Sequence, residues 1–312
     1  MMLLLLSLIT VLVLLPGDAF AWGGGTHLQI GLSVLSSLSA LPEALATILE
    51  SCPYDYLYGC LAPDITIAKK YTDYQSHCHR WQAGERLLAM ARNDRERACA
   101  YGYLSHLAAD LVAHNVYVPY KTIRSFSAMA LRHTYWELRF ESFVDGDIWQ
   151  LARQACAVGR CHDDVLLRAV LVPTLLPFGA NKRIFSSLLI LARIRRWQAM
   201  LSTVANHSSH HLSAIDRADY LQMSTDAVMD LLTAGDSSWC FTADPTGEVA
   251  LATSKIMRRH LRFLYQTRRI TKEEGMERVA FLKPMLIRGM RDPGLHTVLR
   301  QACTERHSPF LE

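Results

Sequence analysis

The sequence predicts an all-α fold, a multi-helix bundle, on three observations. Apolar residues recur at helical spacing in segment after segment. No stretch alternates apolar and polar residues convincingly, as a half-buried strand would. Several of the thirteen histidines stand four residues from a carboxylate, the spacing that puts both on one helix face. Half of the 312 residues are apolar and a fifth are charged, enough for a sizeable core in one large domain or two small ones. A formal net charge of +4 is too slight to argue for a nucleic-acid partner, and no internal repeat stands out.

Residues 2–15, MLLLLSLITVLVLL, form an uncharged apolar run closed by Pro16-Gly17-Asp18 and followed by Ala19-Phe20-Ala21. The pattern reads as a signal peptide over residues 1–21, with only the α-amine as positive charge ahead of it. The run is short for a spanning helix, which needs about 20 apolar residues. The expected location is therefore secreted or periplasmic, and cleavage after Ala21 leaves Trp22 with a free amine. Export places the eight cysteines in an oxidising setting. Cys156 with Cys161, and Cys52 with Cys60, are close enough in sequence for local bridges; Cys99 and Cys303 read as free buried thiols.

Residues 22–312 read as one helical domain, with the candidate ligands in 22–145 and further helices in 150–312. Residues 28–50 show helical spacing, with Pro42 as a helix start. Residues 51–64, SCPYDYLYGCLAPD, are rich in turn formers and tyrosine and read as a loop. Its Tyr54, Tyr56 and Tyr58, with Tyr74, read as packing within that loop or lining a pocket. Helical spacing returns in 79–93, 95–118 and 131–155, then in 163–172, 183–202, 213–234, 248–268 and 272–290. In 184–202 an apolar face adjoins Arg193, Arg195, Arg196 and Trp197; this is a core helix with solvated arginines or a helix lying on a membrane surface.

The chemistry concentrates in the first half. In SHLAADLVAHN, His106, Asp110 and His114 stand at i, i+4 and i+8, on one face of a regular helix. Burying three polar groups on an apolar face is costly without partners, and a metal removes that cost. Imidazole with carboxylate suits zinc. In RHTYWELRFE, His133 and Glu137 repeat the spacing on a second helix. Asp64 follows Pro63 in the tyrosine-rich segment, and His77 and His79 come thirteen and fifteen residues later. His27 lies five residues past Trp22. A terminal amine and its own carbonyl can chelate a metal, and Gly23-Gly24-Gly25 offers a side-chain-free approach for that. His207, His210 and His211 read as a polar surface loop, and His162, His260, His296 and His307 as structural or surface residues.

This order of residues resembles the zinc-dependent phospholipase C family, whose superfamily includes the S1/P1-type nucleases. The resemblance rests on Trp22, His27, Asp64, His77, His106, Asp110, His114, His133 and Glu137 and covers residues 22 to about 145. It implies a trinuclear zinc site. Asp64, His77, His106 and Asp110 would hold one ion; His114, His133 and Glu137 a second; Trp22 through its amine and carbonyl, His27 and the bridging Asp110 a third. The family's Ser-His register points to His77 over His79. His114 lies four residues past Asp110, where the secreted bacterial enzymes have six. That shorter step looks like the catalytic domain of glycosylphosphatidylinositol-specific phospholipase D, and it is expected to keep the helix regular.

The resemblance also implies the reaction. Zinc would neutralise a phosphodiester and activate water, with Asp64 as the catalytic residue orienting or deprotonating that water. The expected substrate is a phospholipid, with peripheral membrane contact and no nucleic acid. An S1/P1-type nuclease is the alternative enzyme, and a non-catalytic zinc-binding membrane-surface protein the alternative outside catalysis. The HxxxE ending argues against the nuclease, which uses HxxxD there.

Overall fold

The computed structural model describes residues 22–66, 78–128, 133–171, 176–192 and 212–304, and all regular structure among them is helical. Residues 1–21, His77, Tyr74, residues 193–197, residues 207–211 and His307 lie outside the described residues, as do the side chains of His133, Cys161 and Cys303.

The organising element is helix α5, Asp94–Val112, with α1 (Gly24–Leu35), α2 (Glu43–Ser51), α3 (Pro53–Leu61) and α4 (Trp81–Met90) before it. Asn93 caps α5 by accepting from the Glu96 amide at 3.0 Å, while Glu96 accepts from the Arg92 amide at 2.7 Å. This reciprocal pairing satisfies donors that the first turn leaves open. Past its first turns α5 is enclosed: residues 102–112 are all buried. Helices α3 and α4 pack on it from one side and α11 (Ala214–Ala234) from another. The α3–α5 crossing is backbone to backbone. A side chain on Gly59 would run into the Cys99 carbonyl, and one on Gly102 into the Tyr56 carbonyl. Such an approach needs glycine on both helices.

Helix α5 passes into a π-helical turn, Ala113–Tyr117, and then α6, Val118–Arg124. Helices α7 (His133–Glu141), α8 (Gly146–His162), α9 (Asp164–Val170) and α10 (Phe178–Ala192) follow. After α11 come α12 (Glu248–Gln266), α13 (Lys272–Ala280), α14 (Leu282–Arg291) and α15 (Gly294–Thr304). Helix α1 packs on α3, α8 and α11, while α12 and α14 pack against the π turn and α6. No described helix is long and apolar enough to cross a membrane.

Four expectations change. Residues 51–64 are not a loop: Pro53 opens α3, where its missing N–H costs nothing, and Ala62–Ile65 continue as a 3-10 turn. Burial against α5 outweighs the turn propensities of Tyr, Asp and Gly. Accordingly Tyr56 and Tyr58 are core residues, bonded to Ser105 Oγ at 3.0 Å and Asp164 Oδ1 at 2.6 Å. Cys52 and Cys60 are free buried thiols, as are Cys99 and Cys240. Cys52 caps α3 and Cys60 lies near its far end, about 12 Å along a helix axis at 1.5 Å per residue, too far for a bridge. The span 131–155 is broken at Ser142–Asp145 into α7 and α8. Helix α5 does not run regularly through His114, because the π turn begins at Ala113.

Candidate metal centre

The site forms where α1, the Ala62–Ile65 turn, the chain around His79 and α5 meet. Asp110 is its hub and is wholly buried. Its Oδ1 lies 3.2 Å from His27 Nε2. Its Oδ2 lies 3.3 Å from His106 Nε2 and 3.4 Å from His79 Nε2. Asp64 Oδ1 approaches His79 Nε2 at 3.5 Å, and the His79 and His106 Nε2 atoms are 3.2 Å apart. The His27 and His106 rings stack at 3.6 Å. Two triads result, His27–His106–Asp110 and Asp64–His79–His106, each with its ligand atoms within 4.8 Å of one another.

The donor chemistry fits zinc. His27 Nε2 and both Asp110 oxygens are buried without a hydrogen-bond partner, close to each other but not aligned to bond. Buried polar atoms left so are uncommon and call for a cause such as an ion. The His106 Nδ1 lies 2.8 Å from the Cys60 carbonyl oxygen. A carbonyl only accepts, so Nδ1 carries the proton and Nε2 offers its lone pair to the site. Since one nitrogen binds one ion, His106 can serve only one of the two triads. The two carboxylate oxygens face different side chains, Oδ1 toward His27 and Oδ2 toward His79 and His106.

The electrostatics agree. Burial pushes the Asp110 carboxyl up, but His106 and His27 override it and hold the group well below the usual carboxylate range. Burial and His106 push His27 down. For His106 burial also lowers the pKa, yet Asp110 and Asp64 together raise it.

His79 stands in the cluster; His77 lies outside the described residues. His114 is buried on the π turn, with Nδ1 2.7 Å from the Pro245 carbonyl oxygen. Glu137 is buried on α7, close enough to Tyr117 to act on it electrostatically; its partner His133 is known here only as the first residue of that helix. Trp22 is fully buried, its ring against Phe140 and Tyr117 at centroid distances of 4.1 and 4.9 Å. The indole N–H lies 3.1 Å from the Ala109 carbonyl and 3.2 Å from Ser224 Oγ. The side chain thereby pins the start of the described chain beside Asp110.

The glycine run is not a flexible link. Gly24 and Gly25 open α1, and the Glu141 carboxylate accepts from the Gly25 amide at 2.6 Å, the Thr26 amide at 3.2 Å and Thr26 Oγ1 at 2.6 Å. A side chain on Gly25 would collide with Glu141, Val144 and Trp149. Glu141 therefore holds the helix start that carries His27, and the negative charge suits a helix N-terminus. Its only trace in the sequence is that it lies four residues past Glu137.

Residues 26–171 match the model of the family described as zinc dependent phospholipase C. No curated protein and no solved structure matches the chain. The matched residues include His27, Asp64, His79, His106, Asp110, His114 and Glu137, the side chains placed above. Residues 26–171, just under half of the chain, are thus similar to the zinc-dependent phospholipase C family of hydrolases.

Proposed function

We propose that the chain hydrolyses phospholipids by C-type cleavage: water adds to phosphorus, the bond from phosphorus to the glycerol oxygen breaks, and diacylglycerol and a phosphorylated headgroup leave. The observation that supports it best is the double-faced Asp110, with Oδ1 toward His27 and Oδ2 toward His79 and His106. That arrangement suits two ions sharing one carboxylate. We assign Asp64, His79, His106 and Asp110 to one zinc, and His27, Asp110 and the Trp22 main chain to another. His114, His133 and Glu137 are assigned to a third. Zinc held by these residues would neutralise phosphodiester charge and would make water a nucleophile near neutral pH.

The protein's own part is placement and proton handling. Asp64 stands beside His79 at the edge of the cluster and is assigned to orient the water and accept its proton. Asp110, kept anionic by His106 and His27, holds both faces of the centre. The Cys60 carbonyl keeps His106 in the ligating tautomer. We further assign export and cleavage after Ala21, which frees the Trp22 amine for the metal.

The test is product analysis on processed, zinc-loaded protein with phosphatidylcholine micelles and, in parallel, single-stranded DNA. Diacylglycerol with phosphocholine is the expected outcome. Phosphatidic acid with choline would mean D-type cleavage, and release of nucleotides a nuclease. Zinc binding with no turnover on either would favour a non-catalytic surface protein. N-terminal sequencing of the secreted material checks Trp22 as the first residue.

A further inference from the structure

His114 lies within the family-matched segment, yet its ring is oriented from outside it. The Pro245 carbonyl sits 2.7 Å from His114 Nδ1. Only the ring can donate in that pair, so Nδ1 carries the hydrogen and Nε2 is the nitrogen left to ligate. The next residue, Asn115, donates from Nδ2 to the Asp244 carbonyl at 2.9 Å and to the Leu111 carbonyl at 3.0 Å. Two successive residues of the π turn are thus bonded to two successive carbonyls of one loop, about 130 residues later in the chain.

The loop is itself held. The Asp244 carboxylate accepts from the Thr246 amide at 3.0 Å, from Thr246 Oγ1 at 2.7 Å and from the Glu248 amide at 3.3 Å. Gly247, at φ +57, lies against the backbone and Cβ of His114, and a side chain there would collide with both. Both the left-handed φ and the contact require glycine.

We propose that the loop Asp244–Gly247 is a positioning element for the His114 metal site, so that the C-terminal half of the chain completes a centre whose ligands all lie in the first half. The proposal rests on the reading of His114 as a zinc ligand. It matches the arrangement at His106, where the Cys60 carbonyl does the same from within the family-matched segment. A carbonyl behind a ligating imidazole fixes its tautomer and ring plane, and loss of such a partner typically costs about 10–100-fold in metal affinity.

The experiment compares zinc affinity and zinc per chain for the full-length mature protein, Asp244→Ala and His114→Ala, with circular dichroism to verify helical content. In Asp244→Ala one ion is expected to bind about 10–100-fold more weakly, with the others and the helicity unchanged. In His114→Ala that ion is expected to be lost. If His114→Ala keeps every ion, the ligand reading fails. If His114→Ala loses an ion while Asp244→Ala binds all ions as the unaltered protein does, the loop proposal alone is overturned. Should Asp244→Ala not fold, Thr246→Val and nitrogen-resolved NMR of the unaltered zinc-loaded protein decide. His114 is expected to be protonated at Nδ1, and protonation at Nε2 with a bare Nδ1 overturns the proposal.

Discussion

The two ends of the central helix solve the same problem differently. At the Asp110 end the helix is regular, the candidate ligands His106 and Asp110 are one turn apart, and the carbonyl beside His106 comes from α3, which packs along the same helix. At the His114 end the helix widens into a π turn, and the orienting carbonyl comes from a loop 131 residues away in sequence. The first geometry is assembled mostly from local periodicity and one helix pair. The second exists only once the C-terminal half has docked. A π turn adds a residue to the helical circuit, and such turns are frequent at functional sites.

The strongest way to break the comparison is to remove the C-terminal half. A chain ending at residue 171 lacks α11, so it exposes a face of α5 and takes Ser224 from the Trp22 indole. It is expected to lose cooperative folding and near-ultraviolet dichroism altogether, so neither end forms. A truncated chain that folds and binds zinc at the Asp110 end would show that end to be autonomous.

Next in size, Asp110→Ala should abolish zinc at the His27 and His79 positions and lower phospholipid turnover by more than about 10²-fold, since loss of a ligand exceeds the loss of its outer partner. Metal content and initial rates are the measurements; unchanged values would remove Asp110 from the centre. His79→Ala should cost one ion and most of the activity, whereas His77→Ala should cost far less. The reverse ranking would move the site back to His77.

Smaller is the effect of Glu141→Ala. It removes three bonds at the start of α1, and loss of a helix N-terminal cap costs about 1–2 kcal/mol. A drop in melting temperature of several degrees, with weaker zinc binding at His27, is expected; a stable variant with intact binding would show α1 to be held elsewhere.

A last effect lies away from both ends and is read as a dependence on pH. Burial and the neighbouring Asp55 push the Asp163 carboxyl up to about 8. The folded state therefore holds a proton that the unfolded chain releases near the ordinary Asp pKa of about 3.9. Stability should fall as pH rises from about 4 to 8 and then level off. Asp163→Asn removes this loss, so its advantage over the unaltered protein should grow across that window and stay constant above it. Denaturant midpoints at stepped pH, with and without chelator, measure the gap. Parallel curves would show that Asp163 does not titrate there, and a gap that changes with chelator would tie it to the metal centre.

The sequence by itself determined the all-α class, because helical periodicity and burial share one period in α11 and α12. It also determined the His106–Asp110 pairing, since i and i+4 share a face on any regular helix. It misread residues 51–64, where tertiary burial overrode turn propensity, and the run through His114, where the π turn begins. Only the tertiary structure brought His79 to the cluster, because the place of a residue in an irregular segment depends on where the chain is carried and not on its type. Only it showed that the glycines make room for Glu141, and that Pro245 backs His114. A backbone carbonyl is the same chemical group at every position and leaves no mark in a sequence, so which one reaches a ligand is settled by packing alone.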